Sequence, residues 1–146
     1  MTKTWFIPQP FETVDHTADT GVLVRGATRE EALARLVLGH AQMLSGGEPV
    51  DEENEIVVEL EGSDDLSLIG VDALREMNRL FCTERHIATR VDILELDVKC
   101  VRLKVGVGRY DPERHAEGVD IKAVTFHAAR LEKDGDDWIA QVIFDI

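Results

Sequence analysis

Two acidic groups that could bind a cation stand at the end of the sequence, where Asp145 precedes the final residue, Ile146. The last ten residues, DWIAQVIFDI, are mostly apolar and predict a buried strand that continues to the last residue. Two negative charges in such a place, the Asp145 side chain and the α-carboxylate of Ile146, repel each other and resist burial. A hard divalent ion such as Ca²⁺ or Mg²⁺ would accept both as oxygen ligands. The alternative is a chain end that simply reaches solvent, with Asp145 as its first exposed residue.

Three further residues combine a polar side chain with a notable position. His16 and Asp19 fall in the turn His16-Thr17-Ala18-Asp19-Thr20-Gly21, and their spacing alone favours a turn in which Asp19 accepts bonds from nearby backbone amides. Lys122 is the single cation in the apolar run Ile121-Lys122-Ala123-Val124. Such a lysine needs an anionic partner or a position that faces outward.

The remaining histidines and both cysteines have simpler interpretations. His40 and His127 lie in apolar patterns and are expected to pack in the core, whereas His86 and His115 follow arginines and are expected to be solvated. Cys82 and Cys100 have no CxxC partner, which argues against a zinc or redox site and favours small core residues in a reducing cytoplasm.

The elements that must position these residues alternate along the chain and predict an α+β fold. Two helices are expected to pack on a mostly antiparallel sheet of about seven strands, in the order β-β-α-β-α-β-β-β-β. The last strand has apolar residues at both parities, so we expect it to be central. Residues 1–10 are expected to be an N-terminal extension, and residues 11–146 a single domain. The predicted strands cover about 11–15, 22–25, 54–62, 87–97, 101–107, 120–131 and 138–146, and the helices about 29–45 and 64–83.

Three local signals add detail to this prediction. Thr28 and Glu31 form a capping box at the start of the first helix, and Ser45-Gly46-Gly47 ends it. Ser63 is expected to cap the second helix. The parity of the apolar residues shifts between Ile93 and Leu96, which indicates a β-bulge.

Composition excludes several classes of protein. The 146 residues are 44% hydrophobic and 31% charged, which is typical of a globular domain. No apolar run reaches the roughly 20 residues that a membrane helix needs, and the N-terminus lacks a signal-peptide pattern, so we expect a cytoplasmic protein with no membrane partner. A formal net charge of −13 would repel phosphate backbones, so we expect no direct binding to nucleic acid.

Three motifs together resemble the archease family: D-H-T-A-D at 15–19, D-P-E-R-H at 111–115 followed by D-I-K-A-V-T-F-H at 120–127, and V-I-F-D-I at 142–146. They occur in the family's order, and the resemblance covers about residues 11–146. It implies an α+β domain that is not an enzyme but a protein cofactor of the tRNA-splicing RNA ligase. That ligase joins an RNA 3′-phosphate to a 5′-hydroxyl with GTP and Mn²⁺, and the cofactor promotes its guanylylation and its repeated turnover.

The resemblance also implies roles for individual residues. A divalent ion, Ca²⁺ in the family and possibly Mn²⁺ or Mg²⁺ in the cell, would be bound by Asp19, Asp145 and Ile146. The family's important lysine falls on Lys122, and His16 lies in the same motif as Asp19, so both are candidates for activation of the partner. Arg109 stands where relatives often have Glu, which puts an extra acidic contact from the following loop in doubt.

Two functions from other classes remain open at this point. One is a stand-alone metal-dependent phosphoesterase or nuclease that uses the same carboxylates, for which His16 is the single evident general base. The other is a chaperone-like modulator of an RNA methyltransferase. Incubation of the pure protein with RNA and Mg²⁺ or Mn²⁺ separates the enzyme from the accessory protein.

Overall fold

The computed structural model describes residues 3–15 and 19–146 and shows the expected α+β fold, with two helices and eight strands. His16 lies outside the described residues. The elements are β1 (Thr4–Phe6), β2 (Glu12–Asp15), β3 (Asp19–Gly26), α1 (Arg29–Ser45), β4 (Asn54–Glu61), α2 (Leu66–Glu84), β5 (His86–Leu96), β6 (Cys100–Arg109), β7 (Ala123–Asp134) and β8 (Asp137–Asp145).

The strands form two antiparallel sheets of four strands each, whereas the sequence suggested one sheet of about seven strands. One sheet has the order β1-β5-β6-β4, and the other has the order β2-β3-β8-β7. Strand β8 lies between β3 and β7, which confirms its predicted central position. Because β8 is central, its last residues are flanked by the first residues of both neighbouring strands.

Helix α1 contacts strands of both sheets, so it fills the space between them. Every residue from Ala32 to Ser45 except Arg35 is buried, as expected for a helix that is covered on all sides. The predicted cap is confirmed, because the Glu31 N–H donates to Thr28 Oγ1 at 3.1 Å. Glu31 also reaches back as expected, but its Oε1 accepts from the Ala27 N–H at 2.8 Å, one residue before the cap, rather than from Thr28. The helix ends at Gly46, whose φ of 66° is the left-handed conformation that glycine adopts readily.

Helix α2 packs against β7, β5 and β4, and it also contacts α1. Its N-cap is Asp65, whose side chain accepts from the Ser67 N–H at 3.0 Å, so the assignment of the cap to Ser63 was wrong. Ser63 instead accepts from the Asp65 N–H at 3.0 Å and shapes the approach to the helix. No helix in residues 3–15 and 19–146 is long and apolar enough to span a membrane.

Residues 3–10 do more than extend the domain. Thr4–Phe6 pair with Arg90–Asp92 of β5 as an edge strand, and Trp5 is buried. The indole Nε1–H of Trp5 donates to Glu31 Oε2 at 3.2 Å. The two prolines at positions 8 and 10 made the sequence of this segment look like a loose extension. Its pairing with β5 is a long-range contact, and such a contact has no local signal in the sequence.

Strand irregularities occur at one predicted place and at two places that were not predicted. The register of β5 against β6 shifts between Ile93 and Glu95, which confirms the predicted bulge, and it shifts again between Ala88 and Arg90. The register of β7 against β8 shifts between Thr125 and Arg130.

Candidate functional site

Strand pairing brings Asp19, Asp145 and the segment before β7 to one end of a sheet. Asp19 is the first residue of β3 and lies directly opposite Asp145, the last residue of β8. On the other side of β8, Asp145 lies opposite Ala123, the first residue of β7. The Lys122 N–H, one residue earlier, donates to the main-chain oxygen of Asp145 at 2.8 Å. Three of the predicted site residues are therefore neighbours although they are far apart in the sequence.

The Asp19 carboxylate, like that of Asp92, has an unusual environment for a charged group. Its Oδ1 atom is buried and has no hydrogen-bond partner among the described residues. The nearby Asp15 differs, because its Oδ1 accepts from the Thr20 hydroxyl at 2.7 Å. A buried carboxylate oxygen without a donor is costly unless a cation or another donor compensates it. The described residues supply neither, and a divalent cation is one group that would compensate this atom. The turn at residues 16–18, where the backbone-bonded alternative would apply, lies outside the described residues.

The chain end leaves the core sooner than the sequence predicts. Phe144 is fully buried, but Asp145 is exposed and Ile146 is 45% exposed. The expected burial up to the last residue is therefore wrong, because burial ends at Phe144. Asp145 is the first exposed residue, as the alternative interpretation requires. This exposure also leaves its side chain and the Ile146 carboxylate accessible to an ion.

Lys122 lies outside regular structure, although the predicted strand began at residue 120. The observed strand β7 begins at Ala123, and the Lys122 side chain is exposed. It forms no ion pair with any of the described residues. Its ammonium group is therefore accessible at the end of the sheet where Asp19 and Asp145 meet.

The donor set fits a hard divalent ion. The Asp19 and Asp145 carboxylates, together with the α-carboxylate of Ile146, would supply the oxygen ligands that Ca²⁺, Mg²⁺ and Mn²⁺ accept. Within residues 3–15 and 19–146, no group of three or more His, Cys, Asp or Glu side chains is placed to hold a metal. The proposed set has only two such side chains, because its third ligand would be a main-chain carboxylate.

The loop after β6 has a structural role that the sequence did not reveal. His115, expected to be solvated, is buried, and its Nδ1 accepts from the Asp111 N–H at 2.9 Å. Its Nε2 lies 3.0 Å from the Pro49 carbonyl oxygen and donates to it. The histidine therefore fixes the D-P-E-R-H loop to the segment after α1. Arg109 ends β6, is exposed and forms no ion pair with a described residue.

A buried polar pair, which includes a residue that sequence reasoning missed, lies behind the site. His40 of α1 is buried as predicted, and its Nε2 lies 3.2 Å from Asn78 Oδ1 of α2. Asn78 Nδ2 donates to the Ile121 carbonyl at 3.3 Å. Burial lowers the pKa of His40 from 6.5 to about 4, and the bond to Asn78 offsets only part of that shift. The isolated amide in the apolar stripe of α2 was the signal that could have identified Asn78.

Known proteins resemble this chain over nearly its whole length. A model of the archease protein family matches residues 11–146. The archease of Methanopyrus kandleri is 29% identical over 140 residues, which cover 94% of this chain and 99% of that protein. The archease of Pyrococcus furiosus is 32% identical over 140 residues, covering 93% and 98%. An archease-like protein of Dictyostelium discoideum is 33% identical over 141 residues, covering 93% of each.

Two known structures share the fold. The solution structure of protein 1598 from Methanobacterium thermoautotrophicum matches with a TM-score of 0.73 at 27% identity, covering 93% of this chain and 98% of that one. The crystal structure of an archease from Thermotoga maritima, described as a possible chaperone, matches with a TM-score of 0.59 at 21% identity, covering 96% and 98%. The second likeness concerns the fold alone. With the family model spanning the whole domain, the chain belongs to the archease protein family.

Proposed function

We propose that this protein is an accessory factor that activates a GTP- and Mn²⁺-dependent RNA ligase, which joins RNA 3′-phosphate and 5′-hydroxyl ends in tRNA splicing or RNA repair. It would promote guanylylation of the ligase and allow repeated turnover, without being an enzyme itself. Membership of the archease family supports this role. The observation that carries it is the meeting of Asp19, Asp145 and Lys122 at one end of a sheet, with Asp19 Oδ1 buried and without a described partner.

The carboxylates at this end would hold one divalent ion, Ca²⁺ or possibly Mn²⁺ or Mg²⁺ in the cell. The ligands would be Asp19, Asp145 and the α-carboxylate of Ile146. When bound, the ion would supply a concentrated positive charge that neutralises the carboxylates and can polarise an oxygen atom of a partner. His16 stands in the D-H-T-A-D motif and is proposed to act with Lys122 on the partner.

Lys122 would contribute a second positive charge to the same surface. Its ammonium group is exposed, while its main-chain N–H is bonded to Asp145, so the base of the side chain is fixed and its tip is free to reach a partner. Lysine binds phosphate or carboxylate groups as a compact point charge. We infer that it contacts an anionic group presented by the ligase in the activated complex.

The acidity of the protein fits a partner that handles RNA. The formal net charge is −13, so the surface would repel RNA and attract a basic protein surface. A ligase must carry basic residues to hold its RNA substrate. Electrostatic complementarity would then steer association of the two proteins and make its rate depend on salt concentration.

Sealing assays with the cognate ligase test the proposal. Added below stoichiometry, the protein should raise the number of RNA ends sealed per ligase molecule well above one, and alone it should neither seal RNA nor hydrolyse GTP. Sealing that stays at one turnover with and without the protein would contradict the accessory role. RNA cleavage by the pure protein with Mg²⁺ or Mn²⁺ would favour the phosphoesterase or nuclease, and unchanged sealing with binding to a methyltransferase would favour the chaperone-like modulator.

Calorimetric titration with Ca²⁺ and Mn²⁺ tests the metal site separately. Asp19→Asn and Asp145→Asn each remove one ligand charge, and the loss in affinity should at least match the roughly 10–100-fold that loss of an outer-shell partner causes. Asp136→Asn is the matched control, because it removes the same charge in the exposed turn at the opposite end of the β7–β8 hairpin. Equal affinities for all three variants would place the ion elsewhere.

A further inference from the structure

A continuous set of contacts runs from the interior of the protein to the candidate site. His40 on α1 bonds to Asn78 on α2, and Asn78 bonds to the Ile121 carbonyl, at 3.2 and 3.3 Å. The next residue, Lys122, donates its N–H to Asp145. The segment around Lys122 is thus bonded to the core on one side and to β8 on the other.

The same pair also contacts the strand that carries Asp145. The His40 ring packs edge-on against Phe144, with ring centroids 5.7 Å apart and planes at 67°. Phe144 is fully buried and immediately precedes Asp145. His40 and Asn78 therefore touch the residue that precedes each of two site residues: Phe144 before Asp145, and Ile121 before Lys122.

A buried polar pair such as His40 and Asn78 contributes less to the stability of the folded state than a well-packed apolar pair could. His40 is 1% exposed and Asn78 is 7% exposed, and both lie among apolar residues where α1 meets α2. Replacing both partners of a buried polar pair by apolar groups of similar shape is often neutral or stabilising. Asparagine is also a weaker helix former than leucine or methionine. The polar pair is therefore better explained by what it holds than by the packing it provides.

What it holds is the segment just before β7, where the Ile121 side chain is buried in the core and the Val119 N–H donates to the Met43 carbonyl at 2.9 Å. Strand β7 is at the edge of its sheet, and residues 120–122 precede it outside regular structure. The Ile121 carbonyl receives its bond from a helix side chain rather than from a neighbouring strand. Without that bond, the buried Ile121 side chain and the Lys122 bond to Asp145 would still hold the segment, but the Ile121 carbonyl would lose the bond that fixes its orientation.

We propose that His40 and Asn78 are positioning residues that fix Lys122 relative to Asp145 at the end of the sheet. Their role in ligase activation rests on the function proposed above, but the structural effect does not. Asn78 acts by donating a hydrogen bond to the Ile121 carbonyl, and His40 acts by orienting the Asn78 amide. Because Asn78 Oδ1 is an acceptor, the neutral imidazole of His40 carries its proton on Nε2 and donates it to this oxygen. Neither side chain needs to touch the ion or the partner.

Hydrogen exchange of individual amides, followed by NMR in the full-length protein, tests this assignment. In Asn78→Leu, the Lys122 amide should exchange at least tenfold faster relative to the Leu103 and Val105 amides of the central strand β6. Asn78→Asp retains an acceptor for His40 but has no donor for Ile121, so it should show the same selective loss. The double variant His40→Leu/Asn78→Leu refills the interior with apolar groups, and it should unfold at a denaturant concentration near that of the native protein while Lys122 stays unprotected.

Arg79→Ala is the matched control, because Arg79 follows Asn78 on α2 but is exposed, and its side chain bonds to Glu76 rather than to any described residue of the site. It should leave the exchange of Lys122 unchanged. Unchanged relative protection of Lys122 in Asn78→Leu would overturn the proposal. A loss shared equally by Lys122 and β6 would also overturn it, because the pair would then be a general stabiliser.

The sealing assay separates failure of this inference from failure of the proposed function. If the positioning role is correct and the proposed function holds, variants with an unprotected Lys122 should activate the ligase less than the native protein does. If exchange changes as expected but Lys122→Ala activates normally, the positioning role stands and the function proposed for the site fails.

Discussion

The buried His40 side chain should make the stability of this protein depend on pH in a predictable way. Burial lowers the pKa of His40 to about 4 in the folded state, against 6.5 for an exposed histidine. Between these values the unfolded chain binds a proton that the folded protein does not bind. The contribution of the neutral imidazole is therefore complete above about pH 6.5 and is lost as the pH falls toward 4.

The size of this loss follows from the two pKa values. Each unit of difference corresponds to about 1.4 kcal/mol, so the free energy of unfolding should fall by about 2 kcal/mol by pH 5 and by about 3 kcal/mol by pH 4, relative to pH 8. These values apply to His40 alone. Carboxylates titrate in the lower part of this range and add their own effects, so the native protein must be compared with a variant in which only the imidazole is removed.

Urea denaturation of the native protein and of His40→Gln between pH 8 and pH 5 provides that comparison. Glutamine does not titrate and retains an N–H donor for Asn78, so the variant should lose about 2 kcal/mol less than the native protein over this range. His127→Gln is the control, because His127 is exposed on β7, and its pH dependence should match that of the native protein. Parallel curves for the native protein and His40→Gln would refute the assignment of a buried, neutral His40.

Two further predictions concern the candidate site. Lys122→Ala should unfold at nearly the native denaturant concentration, because the side chain is exposed and outside β7. The variant should nevertheless reduce the number of RNA ends sealed per ligase molecule. Unfolding at a lower denaturant concentration with normal activation would show a structural role instead. Residues added after Ile146 should leave the core intact, because burial ends at Phe144. They would convert the α-carboxylate to a neutral amide and weaken Ca²⁺ binding, whereas residues added at the N-terminus should leave Ca²⁺ binding unchanged. Equal Ca²⁺ affinity of the extended and native proteins in calorimetry would exclude the α-carboxylate as a ligand.

Local features of this fold could be predicted from the sequence because their signals are local. The capping box of Thr28 and Glu31 and the end of α1 at Gly46 depend on residues within one turn of the helix. The bulge near Ile93 follows from a change in apolar parity within one strand. The central position of β8 follows from apolar residues at both parities, which require cover on two faces.

Long-range features were missed for a shared physical reason. The pairing of β1 with β5 and the division of the strands into two sheets depend on contacts between distant segments. His115 was expected in solvent, but its loop folds back onto Pro49, a partner that no local pattern reveals. Cys82, expected in the core, is exposed because it lies on the outer face of the last turn of α2.

The exposure of His127 shows how an irregular strand defeats a pattern of period two. Between Thr125 and Arg130, β7 has more residues than the facing part of β8, and Ala128 adopts a φ of 53°, which is unusual for a residue other than glycine. The alternation of inward and outward side chains is therefore interrupted. His127 falls within this interruption and faces solvent rather than the core predicted for it.

The candidate site differs from the other acidic parts of the molecule in how its charges are arranged. On and beside the β1-β5-β6-β4 sheet, several carboxylates have cations nearby: Arg90 forms ion pairs with Glu52, Glu55 and Oδ2 of Asp92, and Arg102 does so with Glu59 and Glu95.

Asp19 and Asp145 lie directly opposite each other on the adjacent strands β3 and β8, and neither forms an ion pair with a residue that the structure describes. Like charges at directly opposite positions destabilise a sheet, so this register works against the fold unless something else compensates it. Departures from otherwise consistent local rules tend to mark functional positions. Asp134 and Asp137 also face each other in this sheet, but Arg25 forms an ion pair with Asp134. A bound divalent ion would play the corresponding part for Asp19 and Asp145, because it would convert their repulsion into shared coordination.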